Sequence, residues 1–155
     1  MPKAIGAEAQ ISNPALRPLE GLVGEWRTTG RHPIVPGKTF HGRTSFAWQD
    51  NGAFLVMRSQ IDEPEIPSGI AYFGSDDGTH AIIMIYFDER GVSRHYAVSV
   101  DGMTASWSRD DPELSQSMTL TIEANRLIAK GRMSRDGREW EDDLSLTYDR
   151  VGPES

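Results

Sequence analysis

The sequence after Gly24 is a series of short runs in which apolar and polar residues alternate, and each run ends in a turn signal. Such alternation is typical of strands that bury one face. The turns include dipeptides that accept the positive φ angles of tight hairpins, namely Asn51-Gly52, Asp77-Gly78, Asp101-Gly102 and Asp136-Gly137. The runs cover residues 25–32, 39–49, 53–62, 69–75, 79–88, 92–101, 104–109, 115–123, 126–134 and 138–149.

No segment between two runs is long enough for a helical crossover, so the runs predict antiparallel strands joined as hairpins in up-and-down order. Ten strands in an open sheet would leave long edges unpaired, and closure into a barrel removes those edges. The sequence therefore predicts an all-β protein, a roughly ten-stranded antiparallel up-and-down barrel. The runs at 53–61 and 81–87 are apolar on both faces, so their outer side is either covered, for instance by an N-terminal helix, or part of an interface.

A short apolar repeat precedes the first strand. Asn13 followed by Pro14 is typical of a helix start, with asparagine as the N-cap and proline at the first helical position. Pro18 predicts that this helix is interrupted or ends early. Three leucines recur at three-residue spacing, at Leu16, Leu19 and Leu22. We expect a short N-terminal helix, a flexible N-terminus over residues 1–12 and a single barrel domain over residues 13–150.

Composition excludes several classes of partner. The chain has 155 residues, 16 Lys+Arg, 23 Asp+Glu and a net charge of −7, with no basic run, so neither nucleic acid nor an anionic membrane is an expected partner. It has no cysteine, which removes disulfides and thiolate chemistry and is typical of a reducing compartment. The longest apolar run, AIIMIYF, is too short to span a bilayer, and the N-terminus lacks the apolar core of a secretory signal. These features predict a soluble cytoplasmic protein.

The tripeptide Gly24-Glu25-Trp26 opens the first predicted strand directly after the helical segment. With about nine hairpin-linked strands after it, this start resembles that of the calycin superfamily, in which Gly-x-Trp opens the first strand. The superfamily includes lipocalins, fatty-acid-binding proteins and nitrobindin-like proteins. Longer stretches are similar to a bacterial family of this size, a resemblance that implies little about function: GEWRTTGRHPIVPG, WQDNGAFLVMRS, PSGIAYFGSDD, DERGVSRHYAVSVDG and WSRDDPELSQSM.

The calycin resemblance implies a barrel that is closed at one end and holds a ligand inside. It implies that Trp26 seals the closed end and that Arg150, from the last strand, stacks on the indole ring. Fatty-acid-binding relatives hold a carboxylate with an internal arginine and tyrosine, and nitrobindin-like relatives hold haem through a histidine late in the chain. Here the last histidine is His95, and Thr28 occupies the position of the second glycine in the nitrobindin-like pattern. We therefore expect no haem and no other cofactor.

Arg58 is the first candidate binding residue, because it interrupts the otherwise apolar run FLVMRSQI. A buried guanidinium needs an anionic or hydrogen-bonding partner. That partner is either the carboxylate of a ligand or an acid of the protein. The candidate acids are Asp62, Glu141 and Asp142.

Arg94 and Tyr96 share one face of the run VSRHYAVSV. Together with Tyr72 and Tyr86 they could line the mouth or interior of the barrel and orient one polar head group in a mainly apolar cavity. Alternatively, Arg94 is solvated near the turn DERGV, and Tyr96 is a core residue with a wet hydroxyl. The predicted ligand-binding residues are Arg58, Tyr72, Tyr86, Arg94 and Tyr96.

The histidines are scattered and lack the spacing of a local metal motif, so we expect no metal site, although separate strands could still assemble one. His32, in RHP at a strand end, is predicted to lie at the mouth. Among the carboxylates, Asp142 shares its parity with Trp140 and Leu144, which would bury it and suit it to acid/base chemistry. The histidines are His32, His41, His80 and His95.

These observations favour a protein that binds a small hydrophobic or amphipathic molecule with a polar or anionic end inside the barrel. The alternative is a cofactor-free acid/base enzyme, decarboxylase- or isomerase-like, that uses the same interior side chains. A third, compatible interpretation is a homodimer formed through the doubly apolar strands.

Overall fold

The barrel predicted from the alternating runs is confirmed. The computed structural model describes residues 13–152, so the predicted flexible N-terminus at 1–12 lies outside the described residues. Antiparallel strands pair in chain order, and the first pairs with the last, which closes the sheet. The strands are β1 (Gly24–Arg31), β2 (Phe40–Gln49), β3 (Phe54–Ile61), β4 (Gly69–Ser75), β5 (Ile82–Asp88), β6 (Ser93–Asp101), β7 (Thr104–Arg109), β8 (Ser115–Glu123), β9 (Arg126–Ser134) and β10 (Glu141–Arg150).

The segment before β1 is a 3₁₀ helix over Pro14–Leu22, and a short 3₁₀ turn over Asp50–Gly52 joins β2 to β3. Asn13 caps the helix, because its side-chain oxygen accepts a hydrogen bond from the Ala15 N–H at 3.0 Å. The expectation that Pro18 interrupts the helix or ends it early is wrong, since the 3₁₀ helix continues through this residue to Leu22. A 3₁₀ helix has three residues per turn, so leucines spaced by three share one side. All of them are fully buried: Leu16, Leu19 and Leu22.

The 3₁₀ helix lies across one end of the barrel and closes it. The Asn13 N–H donates to the Gly52 carbonyl at 2.6 Å, and the Asn13 side chain donates to the Ser75 hydroxyl at 3.0 Å. The Trp26 indole N–H donates to the Leu22 carbonyl at 2.9 Å. The turns between β2 and β3, β4 and β5, β6 and β7, and β8 and β9 lie at this closed end. The other connections surround the opposite, open end.

Trp26 and Arg150 meet at the closed end, where β1 pairs with β10. The Arg150 guanidinium lies 4.1 Å from the centre of the Trp26 ring and donates to the Val23 carbonyl at 2.9 Å. Gly24 has a φ of 141°, and a side chain at this position would collide with the same guanidinium. The arrangement is the cation–π stack that the calycin resemblance implies for these two residues.

Large apolar side chains fill the inner face of the closed half. The Phe73 ring lies 6.3 Å from the Phe46 ring and 5.6 Å from the Trp107 ring, the latter in an edge-on arrangement. Fully buried aliphatic side chains from β3, β8 and β9 complete this layer: Leu55, Leu120 and Leu127. The half of the barrel next to the 3₁₀ helix is therefore solid.

The outer face of β3, β4 and β5 remains partly exposed, because the 3₁₀ helix covers the end of the barrel and not this side. Ile83 and Phe87 are each 41% exposed, and the Tyr72 ring lies 6.3 Å from the Phe87 ring and 6.1 Å from the Phe54 ring. Of the two readings of the doubly apolar strands, cover by the N-terminal helix is wrong. The homodimer through this face stays a prediction.

The hairpin dipeptides behave as expected at Asn51-Gly52, Gly102 and Gly137, which all have positive φ. In the turn between β4 and β5 the positive φ falls on His80 and not on Gly78. The Asp76 carboxylate accepts hydrogen bonds from the backbone N–H groups of Gly78 and Thr79. Because these bonds hold the chain over residues 76–79, the residue with positive φ comes after Gly78. Within residues 13–152, no helix is long and apolar enough to cross a membrane.

Candidate functional site

The open half of the barrel contains a cavity of about 440 Å³. Its floor and walls are mainly apolar and include Met57, Ala71, Met84, Trp107, Met118 and Leu146. Loops at the open end narrow its entrance with further apolar side chains, namely Ile34, Ile66, Pro67 and Leu114. Cavities of this size and character are typical of small-molecule sites.

Three polar side chains meet on one wall of this cavity. The Arg94 guanidinium donates to the side-chain oxygen of Gln116 at 3.1 Å, and the Tyr96 hydroxyl donates to the same oxygen at 3.0 Å. Arg94 and Tyr96 lie on the inner face of β6, and Gln116 lies on the inner face of β8. Burial raises the pKa of the Tyr96 hydroxyl, so it remains a donor at neutral pH.

Arg94 carries a charge that no other described residue neutralises by direct contact. Its hydrogen-bond acceptor, Gln116, is neutral, and the ion pairs among residues 13–152 do not include Arg94. The side chain is half-buried against the cavity. A half-buried guanidinium without a carboxylate partner attracts negative charge, so an anion or a polarised oxygen in the cavity would be stabilised there.

His32 and Asp143 form a second polar pair at the mouth. The His32 Nε2 lies 2.7 Å from the Asp143 Oδ1, and the two side chains are 23% and 15% exposed. The backbone N–H of Ile34 donates to the His32 Nδ1 at 2.9 Å. Because a backbone N–H can only donate, Nδ1 is an acceptor, and Nε2 carries the proton that binds Asp143. Both imidazole nitrogens are therefore occupied.

Asp143 reaches the cavity because of a β-bulge. In the β9–β10 pairing, Asp142 lies opposite Arg132 and Ser145 lies opposite Lys130, so β10 contains one extra residue at this point. The bulge reverses the parity of β10, and it is Asp143 that faces inward while Asp142 is exposed. The expectation of an inward Asp142 is therefore wrong. Gly131 permits the bulge, since a side chain there would lie 2.9 Å from the Leu144 carbonyl.

The second tyrosine in the cavity, Tyr86, belongs to a separate cluster. Its hydroxyl donates to the Asp88 carboxylate at 2.7 Å, and Arg90 donates to the same carboxylate at 2.6 Å. Burial opposes ionisation of Asp88, but the hydrogen bonds from Arg90 and Tyr86 outweigh it and lower its pKa to about 2. Burial, reinforced by the neighbouring Asp88 charge, raises the pKa of Tyr86 far above its usual value. This cluster is internally neutralised, unlike Arg94.

The structure places two of the predicted binding residues outside the barrel. Arg58 and Tyr72 alternate with the inward side chains Met57 and Ala71, and both are exposed. The expectation that Arg58 is buried and lines the interior is wrong. The run around Arg58 is apolar on both faces, so periodicity alone could not tell its inner from its outer side.

Two residues of the site were missed by sequence reasoning, Gln116 and Asp143. Gln116 had a detectable signal, because it alternates in step with Met118 and Leu120 and so shares their inner face. Asp143 had none, because a bulge changes the parity without a distinctive residue pattern.

The histidines offer little to a metal or to haem. His32 lines the cavity with both nitrogens bound, and His95 lies on the outer face of β6. No group of three residues among 13–152 is arranged to hold a metal ion. The site has no free inward histidine to serve as a haem ligand in the described part of the chain.

The architecture defines a calycin-like barrel, and comparison with solved structures supports this class. A crystal structure of Rv2717c from Mycobacterium tuberculosis superposes with a TM-score of 0.66 at 18% identity, over 91% of this chain and 99% of that chain. The fatty-acid-binding protein 1 of Echinococcus granulosus gives a TM-score of 0.61 at 14% identity, over 86% of this chain and 99% of that chain. Zebrafish ileal bile acid-binding protein complexed with cholic acid gives 0.56 at 16% identity, over 85% of this chain and 100% of that chain.

No protein-family model matches the sequence. No curated protein matches it either. The similarity therefore lies in the fold.

Proposed function

We propose that this protein binds a small amphipathic molecule with an anionic end, such as a carboxylate, inside the barrel. The observation that carries the proposal is Arg94, a half-buried guanidinium beside an apolar cavity and without a carboxylate partner among the described residues. A ligand carboxylate would replace the neutral Gln116 oxygen as the acceptor of Arg94 and Tyr96. The barrels of similar fold that bind fatty acids and bile acids support an apolar ligand.

The positions of the polar groups define the orientation of the ligand. Arg94 is the second residue of β6, Gln116 the second of β8 and Asp143 the third of β10, and these strands all begin at the open end. Deeper in the cavity the walls are apolar, with Trp107 and Met118. We therefore propose that the apolar tail points into the barrel and the anionic head stays near the mouth.

The test is a calorimetric titration of decanoate and of decanol into the wild-type protein and two variants. Arg94→Leu should weaken decanoate binding by about ten- to a hundredfold, the value of a charged hydrogen bond of about 1.5–3 kcal/mol, while decanol binding changes little. Arg58→Leu is the matched control, because the same change is made on the outer face. Equal loss for acid and alcohol, or no loss for either, would contradict the proposal.

The alternative, a cofactor-free acid/base enzyme, is favoured by one specific observation. Asp143 is a largely buried carboxylate in the same cavity, and it is bound to a histidine and not to an arginine. General acid/base chemistry needs such a group within reach of a bound substrate. Incubation with a carbonyl compound, followed by NMR detection of product, tests this second function. The cytoplasmic location of the protein remains a prediction from its composition.

A further inference from the structure

The cavity in the open half of the barrel combines three features, and the first of them has no part in the ligand binding proposed above. The first is the inward carboxylate of Asp143, which a β-bulge turns into the cavity. The second is the pair of donors, Arg94 and Tyr96, which converge on one oxygen. The third is the apolar wall beneath them. Bulges next to functional sites commonly re-aim one side chain in this way.

Asp143 has unused capacity to accept a proton. Its Oδ1 accepts the His32 hydrogen bond at 2.7 Å, whereas among the described residues its Oδ2 has only a long contact of 3.4 Å from the Gln116 amide nitrogen. Each carboxylate oxygen has two lone pairs, so Oδ2 can take a proton from a molecule in the cavity. His32 holds the carboxylate in place and cannot itself act as a base, since both its nitrogens are bound.

The donors lie on the other side of the same amide. Gln116 contacts Asp143 through its nitrogen, and Arg94 and Tyr96 through its oxygen. A carbonyl group that replaced the Gln116 oxygen as their acceptor would therefore lie near Asp143. Negative charge that develops on this carbonyl oxygen would be stabilised by the half-buried Arg94 guanidinium, which has no carboxylate partner among the described residues.

We propose that Asp143 is the general base of a proton-transfer reaction on an apolar β,γ-unsaturated ketone, with Arg94 and Tyr96 as the donors that stabilise its enolate. Oδ2 removes a proton from the CH₂ between the carbonyl and the alkene, and the C–H electron pair moves into a dienolate whose oxygen is held by the two donors. The protonated Asp143 then returns the proton to the γ carbon as the double bond moves into conjugation. The product is an isomer of the substrate, so the reaction needs no co-reactant.

The chemistry of the base selects this substrate class. A carboxylate is a weak base, so it can remove only a C–H proton that is already acidified. A ketone flanked by an alkene meets this requirement, whereas the α proton of an ionised fatty acid does not. The inference rests on the acid/base alternative of the proposed function. It gives that alternative a reaction and a substrate class.

The test uses a linear β,γ-unsaturated methyl ketone of the same length as decanoate, in heavy water, with the full chain. Proton NMR follows both deuterium incorporation and formation of the conjugated enone, and calorimetry follows binding of the ketone. We expect Asp143→Asn to bind the ketone like wild type but to slow exchange by about a hundredfold or more, the usual contribution of a general base. Asp142→Asn, the exposed neighbour on the same bulge, is the matched control and should exchange at the wild-type rate.

If the ketone binds to the wild-type protein but deuterium exchange is no faster than in Asp143→Asn, the catalytic inference is overturned. Ligand binding would still stand. Decanoate binding without ketone binding overturns the catalytic inference as well, whereas failure of both to bind contradicts the proposed function too. If thermal unfolding shows that Asp143→Asn is not folded, Tyr96→Phe replaces it. This variant lacks one donor to the enolate, so its rate of deuterium exchange should fall by about a hundredfold. Unchanged exchange in folded Tyr96→Phe would contradict the inference.

Discussion

The closed and open halves of the barrel are built from the same strands, but they differ in the side chains that point inward. In the closed half the inward side chains are large and apolar, and the polar groups that occur there, such as the Trp26 indole N–H and Arg150, bind backbone carbonyls. In the open half the inward side chains around the cavity include a carboxylate and an arginine that has no ion-pair partner among the described residues. Burial in one half thus stabilises a barrel whose other half carries costly polar groups.

The largest effect should come from breaking the packing of the closed half. Phe73→Ala removes a fully buried ring between Phe46 and Trp107 and should lower the free energy of unfolding by about 3–5 kcal/mol. Phe87→Ala, on the exposed outer face, should cost about 1 kcal/mol or less. Urea denaturation of both variants measures the difference. Similar losses for the two would mean that stability does not reside in the closed half.

The difference between the halves also marks the limit of prediction from sequence. The strands, the N-cap at Asn13 and the order of pairing follow from local alternation and turn residues, which act over a few positions. The site does not, because it depends on which face of a strand is inward. For β6 the alternation of Arg94 and Tyr96 with polar neighbours was clear, whereas Arg58 lies in a run that is apolar on both faces. Asp143 required knowledge of a bulge that arises only when β9 and β10 pair.

The smaller and pH-dependent contribution should come from the rim of the open half. The folded pKa of Asp88 is lowered to about 2 from its ordinary value of 3.8, so its ionised form stabilises the fold at pH above about 4. That stabilisation is lost as the pH falls from about 4 to about 2. Solvent partly screens the ion pair between Asp88 and Arg90, which limits this stabilisation to about 1–2 kcal/mol. Urea denaturation across this range should show the stability advantage of wild type over Asp88→Asn shrinking toward acid.

The exposed pair of Asp149 and Arg126 supplies the control for this titration. Surface ion pairs contribute about 1 kcal/mol or less, so Asp149→Asn controls for the loss of one surface carboxylate. A constant difference between wild type and Asp88→Asn from pH 5 to pH 2 would be evidence against the proposed role of the Asp88 cluster.

The orientation of a bound ligand tests the contrast between the two halves most directly. A crystal structure with a fatty acid that carries bromine at its terminal carbon would locate both ends of the molecule, the bromine by its anomalous scattering. We expect a carboxylate within hydrogen-bond distance of Arg94 and Tyr96 and bromine deep in the cavity, next to Trp107 and Met118. A carboxylate buried toward the closed half, with bromine at the mouth, would contradict it.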